Sequence, residues 1–399
     1  MEIARDKDIR NKENRIKKQI EDDRLTEKQR KTMLEYNRTL LKNGLSAHSR
    51  SINIKNLSML FRNTGKEVDQ LTKKAVDDFI IDLLENGYNV QSKRFKRKGM
   101  YSKQTIEQIK LSIKTFFKRI GKSEVVEDIK IKRNKKFKVP DDIFTKEDIL
   151  KLVGCADNFR DKALVFTLYE SGCRSGEWLN VRLKNVALDE YGAVVVVSGK
   201  TGSRRIRLLD SVPDLTSWLN QHPSKNDPEA PLWTNIGSHL DMGLGFNGLH
   251  TILNKYAKNS KLNKKIYPHL LRHSRLTHLA GDGFTEAELR IIAGWSADSQ
   301  MPKVYIHLSG ADVDRKQLEK AGKLINEKQN GDKTKPKTCA VCGYENSATN
   351  KFCSKCGRPL DYKGAMEFKE SESQIKSFVE LLMKEVKSER LKEIMNKIS

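Results

Sequence analysis

The sequence predicts a mainly α-helical protein with one small β-sheet and a small metal-binding module. Three observations carry this. Apolar residues recur at helical spacing over most of residues 26–325, one β-branched run (Val194–Val197) precedes a glycine-flanked turn, and four cysteines near the C-terminus fall into two tight pairs. The 399 residues suffice for two or three domains, each with its own core. A formal net charge of +24 gives the surface a positive field that attracts polyanions, nucleic acid first among them. The sequence shows no long apolar run, signal-peptide pattern or lipidation motif, so a cytoplasmic protein with no membrane partner is expected.

Residues 1–25 alternate Lys, Arg, Asp and Glu with few apolar positions, and a solvated helix or disordered arm is expected there. Residues 26–125 read as a helical domain. Met33, Tyr36, Leu40 and Leu41 recur at helical spacing, and Ser46 is placed to cap a helix carrying Ile52, Leu57, Leu60 and Phe61. Thr72 precedes Val76, Phe79, Ile80, Leu83 and Leu84, a run closed by Asn86-Gly87, and a last helix carries Ile106, Ile109, Ile113, Phe116 and Phe117. Basic runs lie at Lys93, Arg94, Lys96, Arg97 and Lys98 and at Lys130, Lys132, Arg133, Lys135, Lys136 and Lys138. Each alone reads as solvated loop charge, but two runs flanking one small domain point to a surface that tracks phosphates. The second run, ending at Pro140, makes 126–143 a basic linker.

The domain at 144–328 opens on a capping-box pattern, Thr145-Lys146-Glu147-Asp148. A buried helix is expected from Ala163 to Tyr169, ending at Gly172. Val194–Val197, the turn Gly199-Lys200-Thr201-Gly202 and the mixed stretch from Arg204 to Leu209 read as a hairpin with Lys200 at its tip. Helices resume after Asp210. A linker at 329–338 leads to the cysteine module at 339–360, and 361–399 contains an amphipathic helix with Ile375, Phe378, Val379, Leu382, Met383 and Val386 on one face.

The chemistry-bearing residues of the second domain are cations, hydrogen-bond donors and one phenol. Arg174 sits where one helix is expected to end and the next to begin, so its planar fork adds to backbone donors in a way that suits a phosphate. Lys200 is a turn lysine. His269 and Arg272, three apart, share one face of a helical turn. Gly294-Trp295 and Tyr305-Ile306-His307 follow. Each has an ordinary structural explanation alone. Together Arg174, Lys200, His269, Arg272, Trp295 and Tyr305 form a complete kit for attack on a phosphodiester.

The stretches Gly172-Cys173-Arg174-Ser175-Gly176-Glu177, His269-Leu270-Leu271-Arg272-His273 and Gly294-Trp295 ahead of Tyr305 resemble the tyrosine recombinase, or phage integrase, family, over roughly residues 26–325. The resemblance implies a core-binding domain and a catalytic domain that form a C-shaped clamp on duplex DNA. It also implies a covalent 3′-phosphotyrosine intermediate made without a metal. A phosphodiester resists attack through its charge and its poor alkoxide leaving group. On this reading Arg174 and Arg272 clamp the nonbridging oxygens, His269 and Trp295 add donors, Tyr305 is the nucleophile and Lys200 protonates the departing 5′ oxygen. His269 is the candidate to take the tyrosine proton. Many members carry histidine where Trp295 stands; an indole donates but does not accept, so Trp295 has no acid–base role. Glu177 either orients Arg174 or His273 or is a helix-surface carboxylate. His273 and His307 are expected to support the site, and His278 to be structural.

Cys339-Ala340-Val341-Cys342-Gly343 and Cys353-Ser354-Lys355-Cys356-Gly357 give four thiolates with a glycine after each pair, a pattern that resembles a zinc ribbon. Cys339, Cys342, Cys353 and Cys356 would close a structural zinc site with no open position for catalysis. The function expected is a site-specific recombinase or integrase, a homotetramer on paired DNA sites, with accessory DNA-bending factors as possible partners. The alternatives are a type IB topoisomerase-like relaxing enzyme and a noncatalytic zinc-ribbon DNA-binding regulator.

Overall fold

In a computed structural model of the chain, the described residues are 4–91, 96–132, 142–199, 202–237, 240, 242–306, 317–318, 334–361, 364, 367, 375 and 377. The chain divides into two compact units with the boundary between Lys138 and Val139.

The N-terminal unit is built from α1 (Ala4–Ile20), α2 (Glu27–Lys42), α3 (Ala47–Thr64), α4 (Lys73–Glu85) and α5 (Lys103–Arg119). The hydroxyls of Thr26, Ser46, Thr72 and Ser102 each accept a backbone N–H of the first turn they precede, satisfying donors that a helix cannot satisfy itself. Met33, Leu57, Phe61, Phe79, Phe116 and Phe117 form its core.

Three features differ from the sequence-based expectation. The charged segment at 1–25 is not a free arm: Ile16 and Leu25 are buried in that core, Ile20 packs against it, and Glu13 pairs with the buried Arg50. Ile16 and Ile20 are four apart, one helical face, and neighbouring helices supply the remaining apolar surface. The basic run after α4 is part of a hairpin, in which β1 (Tyr88–Gln91) pairs antiparallel with β2 (Lys96–Gly99); Lys93 and Arg94 lie outside the described residues. The core also runs beyond residue 125, because Val126 and Ile129 are buried in it. Of the linker cations, Lys130 and Lys132 are described, while Arg133, Lys135, Lys136 and Lys138 lie outside.

The second unit begins with α6 (Lys146–Gly154), capped by Thr145 and Asp148 as expected. Then come α7 (Phe159–Ser171) and the short α8 (Ser175–Trp178). The sheet has three antiparallel strands, β3 (Val186–Asp189), β4 (Gly192–Gly199) and β5 (Gly202–Leu208), in the order β3-β4-β5. The hairpin is as expected; the short edge strand β3 adds to it. Ala193, Val195 and Val197 of β4 and Ile206 and Leu208 of β5 are buried, the period-2 alternation of a sheet with one face on the core. After the sheet come α9 (Val212–Gln221), α10 (Phe246–Asn259), α11 (Pro268–Gly281) and α12 (Glu286–Ala293). The ribbon segment carries β6 (Lys337–Thr338) paired with β7 (Glu345–Asn346). Of the expected C-terminal amphipathic helix only Ile375 and Ser377 are described, both in helical conformation; Phe378, Val379, Leu382, Met383 and Val386 lie outside the described residues. Among the described residues, no helix is long and apolar enough to cross a membrane.

Candidate active site and metal centre

Tyr305 follows a 3-10 turn at Pro302–Val304 and is 6% exposed, packed with Leu276 and Leu279 of α11 and Leu289 and Ala293 of α12. The Trp295 ring stacks on it at 5.6 Å and 25°. Its hydroxyl lies 2.5 Å from Nδ1 of His273. Burial pushes the phenol up to about 12, against a downward pull from Arg272. Burial, then His269 and Arg272, push His273 down to about 4. The imidazole is therefore neutral near pH 7, and in the tautomer that carries its proton on Nε2 it accepts the phenol O–H at Nδ1.

Two of the three expected cations are described, and Arg272 is the one whose charge acts on the phenol. Arg272, on α11, is buried with its guanidinium 5.4 Å from the Trp295 ring centroid; Nη1 donates to the Gly172 carbonyl at 2.8 Å and Nη2 to the Ala293 carbonyl at 2.9 Å. Burial and then Arg174 lower it to about 10, so it remains charged at neutral pH. Arg174 precedes α8. Its Nη1 donates to Glu177 Oε1 at 2.8 Å and to the Gly294 carbonyl at 3.0 Å, and its side chain is 34% exposed. No other donor of its guanidinium is engaged among the described residues, which leaves Nη2 and Nε for an incoming oxygen. His269 is on the exposed side of α11, its ring 6.1 Å from that of His273. Burial, Arg272 and Arg174 all lower its pKa.

Arg174, His269, Arg272, Trp295 and Tyr305 thus come together from four separate stretches of chain. Lys200 and His307 lie outside the described residues; the residues flanking the turn, Gly199 and Gly202, pair across the hairpin. His278 takes a structural place, its Nδ1 2.7 Å from the Tyr169 hydroxyl.

Two features go beyond the sequence reading. The first is the direct contact of His273, expected as a supporting residue, with the Tyr305 hydroxyl, where His269 was the candidate to take the proton. The second is Arg204 of β5. Its Nη2 donates to Glu177 Oε2 at 2.7 Å and its Nε to the Ile292 carbonyl at 3.0 Å. Glu177 is therefore no surface carboxylate. It is buried and shared by two arginines; burial alone would raise its pKa, but the Arg204 and Arg174 contacts outweigh that and hold it below the usual range. A signal existed: Arg204 has the strand parity of Ile206 and Leu208, the inward side of β5.

The four thiols of Cys339, Cys342, Cys353 and Cys356 lie within 4.8 Å of one another, with Sγ–Sγ separations of 3.6 Å for Cys339–Cys356 and Cys342–Cys353. Tetrahedral zinc with Zn–S bonds of about 2.3 Å places its sulfurs about 3.8 Å apart, so the donor set fits that ion. Gly343 and Gly357 take left-handed φ of 67° and 71°, and their N–H groups close the knuckle turns onto the Cys339 and Cys353 carbonyls.

Residues 142–311 match the family model described as the phage integrase family, and residues 338–360 match a zinc-ribbon domain. Among curated proteins the chain resembles the tyrosine recombinase XerA of Pyrococcus horikoshii, 27% identical over 57% of this chain and 77% of the relative. It also resembles the tyrosine recombinase XerD of Listeria innocua, 28% identical over 57% and 80%. Two solved structures share its fold. One is the XerH site-specific recombinase bound to its difH substrate, with TM-score 0.53 and 16% identity over 78% of this chain and 94% of that one. The other is the Tn1549 transposon integrase in complex with transposon right end DNA, with TM-score 0.54 and 16% identity over 73% and 99%.

Proposed function

The chain is a tyrosine recombinase of the phage integrase family and a DNA breaking and rejoining enzyme, and from that premise we propose that it recombines duplex DNA site-specifically through a phosphotyrosine formed at Tyr305. The observation that carries this is the convergence of two guanidinium groups, an imidazole and an indole on one buried phenol. The solved relatives' complexes with DNA and the charge of +24 support duplex DNA as the partner.

In the first step the Tyr305 oxygen attacks phosphorus, the Oη–P bond forms, and the P–O5′ bond breaks. Arg174, through its unengaged Nη2 and Nε, meets one nonbridging oxygen. Arg272 adds charge beside it, and the growing negative charge is neutralised where it develops. The 5′ oxygen leaves as a hydroxyl with a proton that Lys200 supplies. The tyrosine proton passes to a neutral imidazole, and His273 is already in hydrogen-bond contact with it. Attack by another 5′ hydroxyl reverses the sequence and releases the phenol, so the linkage energy is conserved. A closed set of four thiolates offers no coordination position to a reacting oxygen, and zinc there is structural. Its role is to hold the ribbon's knuckles together.

Exchange between two duplexes requires several active sites at once, which makes a tetramer on paired sites the working assembly. Two labelled duplexes bearing a cognate site, incubated with the protein, should give joined recombinant strands. Relaxed circles without any joined product would support a topoisomerase-like enzyme instead.

A further inference from the structure

We propose that the zinc ribbon is an intramolecular brace for the catalytic unit: folded around its metal, it clips onto the N-terminal ends of α7 and α9. This rests on the reading of the four cysteines as a zinc site. Lys162, in the first turn of α7, donates from Nζ to Asn350 Oδ1 of the ribbon at 2.8 Å and lies 3.4 Å from Asp214 Oδ1 at the start of α9. Ser347 of the ribbon lines the same small cavity as Lys162, Asp214 and Asn350. Asp214 and Ser347 are 4% and 2% exposed, so these polar groups meet out of water.

The contacts are wired to the metal knuckle. Asn346, beside Ser347, accepts the Ser354 N–H on Oδ1 at 2.8 Å and places Nδ2 3.6 Å from the Cys353 sulfur. A ribbon this short has too little core to hold its shape without metal, so its docking groups are ordered only when the thiolates are bound. Undocked, every one of those groups is satisfied by water, so the clip is weak unless it is pre-ordered. Metal occupancy and docking are therefore one equilibrium. Its reach is set by α7: Lys162 and Gly172 are ten residues apart, roughly 15 Å along the helix, and the Gly172 carbonyl receives Arg272. The ribbon thus braces the end of α7 remote from the arginines.

Hydrogen exchange on the full chain tests this with three samples: zinc-loaded, chelator-treated, and Lys162→Met with zinc retained. Amides of Val212–Gln221 and the first turn of α7 are expected to exchange at least about tenfold faster in the second and third samples than in the first. Unchanged exchange of α9 in Lys162→Met overturns the brace, and decides the matter if the chelated chain precipitates. Loss of duplex affinity on chelation with α9 unchanged also overturns it, making the ribbon a DNA-contact module. A purified chain holding no zinc, with four freely reactive thiols, would sink the metal reading instead, which separates the two failures.

Discussion

At the candidate site the Tyr305 hydroxyl lies against His273, the Trp295 ring stacks on the phenol, and the Arg272 guanidinium sits beside that indole. The order of residue types in the sequence announces Arg174, His269, Arg272, Trp295 and Tyr305 as one set, but not who touches whom. His273 rather than His269 holds the Tyr305 hydroxyl, because on α11 the two differ by one turn and only tertiary packing decides which faces the phenol. The carbonyl partners of the arginines, at Gly172, Ala293 and Gly294, are backbone atoms that carry no residue signature. His273 also makes a pH prediction. Its ordinary value of 6.5 falls to about 4 in the fold. Below about pH 6.5 an unfolded chain takes up the proton first, so the stability tied to the neutral imidazole is whole above that pH and is lost as pH falls toward 4. The thermal midpoint of the protein should drop across that window, and His273→Gln should flatten the drop. An equally steep fall in the variant would remove His273 as its cause.

At the scale of elements, capping residues and apolar periodicity located most helix starts, since a cap is a local hydrogen bond and needs no tertiary partner. Elements stabilised mainly by neighbours were read in part or not at all: α1, with few apolar residues, read as either a solvated helix or a disordered arm, and β1–β2 and β3 are short strands whose pairing is read only from the partner. The C-cap of α12 shows how an element end serves the site. Gly294 has φ 63°, its carbonyl accepts Arg174, and a Cβ there would sit 2.4 Å from Arg204 Nη1. Gly294→Ala therefore combines left-handed strain with a clash against a buried guanidinium and should cost about 1–3 kcal/mol in stability. Denaturant unfolding measures it; a change within about 0.5 kcal/mol would mean that Arg204 is free to move aside.

For the molecule as a whole, the charge named the partner class, while the seating of the ribbon on α7 and α9 was not legible because it depends on a few polar side chains far apart in sequence. A chain of net charge +24 that grips duplex DNA through phosphates should lose at least about 10³ in affinity between roughly 50 and 200 mM salt; fluorescence anisotropy across that range checks it, and a flat response would contradict an electrostatic grip. The most direct measurement is capture of the covalent intermediate on a nicked duplex carrying a cognate site, in magnesium-free buffer. Wild type should form an adduct that survives denaturation, and Tyr305→Phe should form none. An adduct formed equally by Tyr305→Phe, or none by wild type on any cognate site, would contradict the role of Tyr305.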